Sequence, residues 1–237
     1  MERAPRSVDA IVEAQVQRWL EERRRATAPP PVPPPVITVS REYGAQGAVV
    51  ARRVAERLGY AYWNRDLLAA IASHARVDPA TLAQFDEHHR SPLVGIMSGI
   101  IPQPTGASQL DYARELTQVV RDLAARGAAV VVGRGLNFML DPDRTLRVRV
   151  VCPLEQRVRE LAAREGLSAA EARALIVDAD RDRRAFVHDL FGKDVEEPTA
   201  YDLWLNTGTL SLDAAAEIVV AACHARFGDQ ARRPHAT

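Results

Sequence analysis

The sequence predicts an α/β protein in which a parallel β-sheet is flanked by helices, and three observations lead to that expectation. Strand-like and helix-like segments alternate along most of the 237 residues. The run Ala128 to Val132 is uniformly small or β-branched and apolar, as in a central parallel strand covered on both faces. The run Val36-Ile37-Thr38-Val39-Ser40 is rich in β-formers and passes through Gly44 and Gly47 into a helical pattern.

Taken in order, Val8 to Ala26 reads as an amphipathic helix, with Ile11, Val12, Val16, Trp19 and Leu20 on one side and Arg23, Arg24 and Arg25 at its end. Packing on the main domain or self-association is the expected use of that helix, with a membrane surface or a protein partner as alternatives. Pro29 to Pro35 holds six prolines, which cannot continue a helix or pair inside a sheet, so a semi-rigid spacer is expected. The main domain begins at Val36. A helix from about Ala48 to Leu58 puts Val50, Val54 and Leu58 on one face, and Gly59 is placed to end it. A short apolar piece, Tyr60 to Trp63, and a helix from about Arg65 to His74 follow. From Asp78 to Ala107 the chain is rich in Pro, Gly, Ser and His without a clear period, as in an insertion.

Ser108 and Asp111 open a helix over Gln109 to Arg126 in the manner of a capping box, and Gly127 closes it. After the valine run, Leu146 to Cys152 is a strand in which Arg147 and Arg149 alternate with Leu146, Val148 and Val150. Pro153 starts a helix that Gly166 ends. Ser168 with Glu171 forms a second capping box, heading a helix to about Leu190. Asp202 to Asn206 is the last strand and Leu212 to Phe227 the closing helix.

Composition narrows the function. A net charge of zero removes any bulk attraction to nucleic acid or membrane, so a basic function must be local. The two cysteines, Cys152 and Cys223, make neither a disulfide framework nor a metal-ligand spacing, and a reducing cytoplasm is the expected setting. No apolar run approaches the roughly 18 to 20 residues needed to span a bilayer. The basic residues are nearly all arginine, with Lys193 the only lysine.

The turn through Gly44 and Gly47 suits phosphate, because glycine allows close backbone approach and the first amides of the helix point at an anion. Glycines at a strand-to-helix turn are also common for purely structural reasons, and the sequence G-x-x-x-x-G-K-[ST] is not met, since Ala48 and Val49 follow Gly47. Arg134 follows the valine run at the carboxyl end of a strand, the edge where ligands bind in open α/β sheets. Asp180, Arg183 and Arg184 stand at i, i+3 and i+4, a spacing that suits an ordinary ion-pair cluster equally well.

These residues resemble the cytidylate kinase-like family. Ile37 to Gly47 is similar to its modified phosphate loop, S-R-E-x-G-x-x-G, and Tyr62-Trp63-Asn64-Arg65-Asp66 to the segment after its second strand. Val131-Val132-Gly133-Arg134-Gly135 resembles its G-R element, Asp180, Arg183, Gly192, Lys193 and Asp194 its lid, and Tyr201 to Thr207 its closing strand. The resemblance runs from about Ile37 to Val220 and implies a five-stranded parallel sheet of the P-loop nucleoside monophosphate kinase type. With the local patterns, it divides the chain into an arm over 1–27, a linker over 28–35, a domain over 36–228 with an insertion near 76–108 and a lid near 178–198, and a tail over 229–237. It further implies ATP and Mg²⁺ as cofactors and CMP or dCMP as acceptor. Ser40, Arg41, Gly44, Ala45, Gln46, Gly47 and Ala48 would hold the donor. Arg65, Asp66, Arg134 and Asp180 would face the acceptor. Arg183, with Arg181 or Arg184, would clamp the transferring phosphoryl group, since the guanidinium fork holds two phosphate oxygens at once. Lys193 would replace missing loop charge, or is a plain surface lysine; Asp66 would serve a base or a magnesium-bound water, or only a helix dipole.

The chain departs from bacterial cytidylate kinases at three points. The position near their loop lysine is Gly47, Ala48 stands where many relatives are basic, and Gly135 replaces an aspartate. Arg41 is the cation nearest the loop in sequence. A nucleotide-binding sensor or scaffold without phosphotransfer is the competing expectation, and an α/β enzyme with an unrelated small-molecule substrate a third.

Overall fold

The structure, a computed structural model, describes residues 33–64, 123–133 and 135–231. The expected N-terminal arm, the first part of the proline run, the helix near 65–74, the insertion and most of the helix over 109–126 lie outside the described residues, as do Arg65, Asp66 and Arg134.

Five strands form one parallel sheet: β1 (Val36–Arg41), β2 (Ala61–Trp63), β3 (Ala129–Val132), β4 (Thr145–Val151) and β5 (Leu203–Asn206), in the order β2-β3-β1-β4-β5. The run expected to be a covered central strand pairs on both sides, with β1 and with β2. Its first residue, Ala128, is not in the strand: it adopts a left-handed φ of 49° and gives its carbonyl to the Ala61 amide. Strand β5 likewise starts one residue later than its composition suggests, and the Asp202 carboxylate just before it is engaged by Arg147 and Arg226.

Side chains alternate across a strand, and this splits the sheet into two unlike faces. Ile37, Val39, Val130, Val132, Leu146, Val148 and Val150 join one apolar core with Val50 and Val54 of α1 (Gly47–Leu58). Ala215, Ala216 and Val219 of α4 (Leu212–Phe227) complete that core. The opposite face carries Thr38, Ser40, Arg147 and Arg149, so its polar groups lie where a second layer of contacts must satisfy them.

Helices α2 (Leu154–Glu165) and α3 (Ala169–Phe191) pack on each other through Val158, Leu161, Ala172 and Ile176. The expected capping box at Ser168 and Glu171 is present with both reciprocal hydrogen bonds, and Gly166 and Gly192 end the two helices in left-handed conformation. Pro33, Pro34 and Pro35, expected in the spacer, are buried against the domain. Pro33 accepts from Arg144 Nη2 at 2.8 Å, and Pro34 O sits where a side chain on Gly127 would have to go. Glycine is required at 127 by that close approach and by its φ of 62°.

Candidate active site

The segment from Glu42 to Gln46 turns the chain from the carboxyl end of β1 into α1. Two residues enforce the turn: Gly44 at φ 83° and Gln46, the N-cap of α1, at φ 57°. Gln46 supplies no side-chain cap, and the first turn of α1 has no acidic residue. The leading amides of the helix therefore keep no anionic side chain of their own, which fits a phosphate group at that end.

The loop is held from below by one arginine that the sequence did not single out. Arg157 of α2, 6% exposed, donates Nε to Cys152 O at 2.8 Å and Nη1 to Tyr43 O at 3.0 Å. The same Nη1 lies 2.6 Å from Asp180 Oδ2, and Nη2 lies 3.5 Å from Glu42. Asp180 in turn accepts the Tyr43 amide on Oδ1 at 2.7 Å, and Glu42 accepts the Cys152 amide at 2.9 Å. Thr207, just past β5, donates Oγ1 to Ala45 O at 2.9 Å. Loop, α2, α3 and the ends of β4 and β5 are thus one hydrogen-bonded block. The available signal was an arginine standing between Leu154, Val158 and Leu161 on the inward stripe of a helix, where a charge must be paired to be tolerated.

Arg41 crosses the mouth of this loop. A side chain on Gly47 would come within 2.7 Å of Arg41 Cβ, and one on Gly133 would overlap Arg41 Nη1. Two glycines therefore leave the channel in which Arg41 lies, Gly47 at the root of its side chain and Gly133 at its guanidinium. Gly133 also donates its amide to Val39 O at 3.0 Å, which keeps the ends of β1 and β3 side by side. Arg41 is accordingly the cation placed between the loop and the end of β3.

The lid residues divide between two sides of α3. Arg183 stands over the Tyr43 ring, 5.3 Å from its centroid, with Nη1 3.4 Å from Arg41 O. Asp180 lies on the same side, tied to the loop as described. Arg181, Arg184 and His188 follow i, i+3 and i+7 spacing on another flank, where with Lys193 they line a surface cavity of about 480 Å³. There Arg181 pairs with Asp178 at 2.9 Å and Arg184 with Glu196 at 3.0 Å. Of the expected clamp, the structure brings Arg183 to the loop and leaves Arg181 and Arg184 on the outer flank, where Lys193, expected to replace loop charge or to be a surface lysine, also lies.

Ser40 also departs from a simple loop role. Its side chain faces away from α1 and accepts from Arg149 Nη1 at 2.8 Å, with the Tyr201 hydroxyl 3.4 Å away. Burial raises the Tyr201 phenol above its ordinary range, against the lowering effects of Ser40 and Arg149. Burial likewise raises the Cys152 thiol beside the loop. Gly135, the position of an expected aspartate, is filled from the other side: a Cβ there would overlap the Phe191 ring at the end of α3. Among the described residues no group of three or more His, Cys, Asp or Glu is arranged to hold a metal ion, and no helix is long and apolar enough to cross a membrane.

Comparison with known proteins is consistent with this geometry. Residues 36–209 match the model of the cytidylate kinase-like family. The chain is 26% identical over 187 residues to a cytidylate kinase of Thermococcus kodakarensis, covering 79% of this chain and 86% of that protein. It is 27% identical over 189 residues to a cytidylate kinase of Methanopyrus kandleri, covering 79% and 92%. Among solved structures, an uncharacterized protein from Eubacterium ventriosum superposes with a TM-score of 0.59 at 17% identity, over 79% of this chain and 97% of that one.

Proposed function

The chain belongs to the cytidylate kinase-like family and is a kinase-type phosphotransferase of the P-loop fold, and we propose that it moves the γ-phosphate of ATP to a nucleoside monophosphate, CMP or dCMP. The observation that carries this reading is the placement of Arg41 between the glycine-rich turn and the end of β3, in a channel kept clear by Gly47 and Gly133. The acceptor is supported by the names of the two archaeal relatives.

Phosphoryl transfer asks a protein to position two phosphates in line and to neutralise the charge spreading over the transferring group. In this proposal the amides from Gly44 to Ala48 and the amino end of α1 hold the donor phosphates. Arg41 supplies the positive charge that a loop lysine gives elsewhere, and Arg183 adds a second guanidinium from α3. Arg157, through Asp180, Glu42 and Tyr43, keeps the loop in shape but does not touch substrate. Arg134 with Arg65 and Asp66 is proposed to receive the acceptor. Mg²⁺ bound to the ATP phosphates offsets their charge and needs few protein ligands.

An ADP-release assay over CMP, dCMP, UMP and AMP tests the proposal. Acceptor-dependent turnover that is highest with CMP or dCMP is expected; turnover with none of the four, in a preparation that binds ATP, would overturn it. That second outcome is what a nucleotide-binding module without transfer would give, a reading favoured by the absence of any loop lysine.

A further inference from the structure

Arg149 is 5% exposed and lies on the face of β4 opposite α1 and α4. The Tyr201 and Trp204 rings flank it, with centroids 6.0 and 5.8 Å from its guanidinium carbon. Its Nη1 is held by Ser40, while Nε is buried with no partner. Among the described residues no carboxylate pairs with it, although neighbouring Arg147 on the same strand is paired with Asp202. Asn137, 7% exposed and within reach of the same Tyr201 hydroxyl as Arg149, has Nδ2 equally unpartnered among the described residues.

A buried guanidinium without a counter-ion is a costly arrangement, and two aromatic faces offset only part of that cost. Both orphaned nitrogens are donors, so the missing partner is a group that only accepts. An oxyanion meets both needs at once: it supplies acceptors for a fork of N–H groups and the negative charge the site lacks. The location suits a ligand, because Ser40 and Arg149 pair in register just before the carboxyl ends of β1 and β4. Tyr201, which lies over Arg149, donates its hydroxyl to Val195 O at 2.9 Å, so the cover of the guanidinium is tied to the turn after Gly192.

We propose that Arg149, Ser40 and Asn137 form an oxyanion subsite that takes the phosphate of the acceptor nucleotide. Assigning the anion to the acceptor rests on the kinase reading; the anion site itself does not. The test is calorimetric titration of the full chain and of Arg149→Met with CMP, inorganic phosphate, cytidine and a non-hydrolysable ATP analogue, alongside melting curves. Wild type is expected to bind CMP and, more weakly and in competition with it, inorganic phosphate. Arg149→Met is expected to lose roughly tenfold or more in CMP affinity and to keep its affinity for the ATP analogue. Its melting temperature should be no lower than wild type, since an apolar replacement removes an uncompensated buried charge. A second variant, Asn137→Asp, places a counter-charge beside Arg149 and is expected to raise the melting temperature while abolishing phosphate binding.

Unchanged CMP and phosphate affinity in Arg149→Met would overturn the proposal, as would a lowered melting temperature with unchanged binding, the signature of a purely structural arginine. Wild type that binds the ATP analogue but neither CMP nor phosphate would also overturn it while leaving nucleotide binding intact. Arg149-dependent phosphate binding without turnover on any acceptor would support the site and defeat the kinase reading.

Discussion

The Asp180 carboxylate accepts the Tyr43 amide at 2.7 Å, so a residue of the long helix α3 fixes the backbone of the phosphate loop directly. Its other oxygen takes Arg157 at 2.6 Å, and the pair is buried, with side-chain exposures of 13% and 7%. Asp180→Ala should therefore leave Arg157 buried beside the loop with only the longer contact to Glu42 as counter-charge, at a cost of about 3 kcal/mol. Urea denaturation should record that loss. The KM for ATP should rise as the loop loses its anchor, and Asp180→Asn, which still accepts the Tyr43 amide, should fall between the two. Wild-type stability in Asp180→Ala would refute the buttress.

Arg41 is expected to be the main loop cation. Arg41→Met should lower kcat by roughly 10²-fold, the usual effect of removing one donor aimed at developing charge, with little change in melting temperature. Arg41→Lys should recover part of the rate, because charge returns without the planar fork. Full activity in Arg41→Met would place the essential cation elsewhere.

Gly133→Ala tests the same channel from the opposite side. A methyl group there overlaps Arg41 Nη1, and the backbone at φ 83° is one that alanine adopts only with strain. A stability loss on the order of 1 kcal/mol together with a kcat loss approaching that of Arg41→Met is expected from steady-state kinetics and melting curves. A stability loss with unchanged kcat would separate the glycine from the arginine.

Asp202 gives the protein a predictable acid limb. Burial opposes its ionisation, but hydrogen bonds from Arg147 and the charges of Arg226 and Arg147 outweigh this and hold the carboxyl below its usual range. Because the folded value is depressed, the stabilisation is complete above the unfolded value of about 4 and disappears as pH falls through the folded value. At pH 7, Asp202→Asn should cost about 1–2 kcal/mol. The difference from wild type should shrink steadily below about pH 4. A pH-independent difference between the two proteins would contradict the linkage.

Both cysteines should resist alkylation in the folded protein. Cys223 is fully buried and burial pushes its thiol up to about 11, while Cys152 is buried and also raised. At pH 8 the Cys223 thiolate is then only about one part in a thousand. Reaction with Ellman's reagent should be slow in buffer and stoichiometric for two thiols in guanidinium chloride. Fast labelling in buffer would mean that α4 opens readily.

Much of the fold was legible because local signals and burial agree. The β-rich run at Val36 to Val39 and the uniform apolar run at Ala129 to Val132 are central strands, and Gly59 and Gly166 end helices where their sequence places them. Ser168 and Glu171 cap α3, and α4 spans Leu212–Phe227 as its pattern predicts. The glycine turn and Arg41 could also be picked out, since both lie in one short stretch of chain. The support of the site could not. Arg157 and Asp180 are 23 residues apart and Tyr43 lies 137 from Asp180, so no local period links them. Arg149 alternates with valines as an outward residue would, and its burial beside the Tyr201 and Trp204 rings has no local signal. Backbone freedom and side-chain periodicity suffice to define the strand-loop-helix that can take a phosphate. Which arginine reaches the loop, which is held in an ion pair and which has no counter-charge among the described residues emerges only in three dimensions, because pairing of charges depends on distance in space and on the water excluded around them.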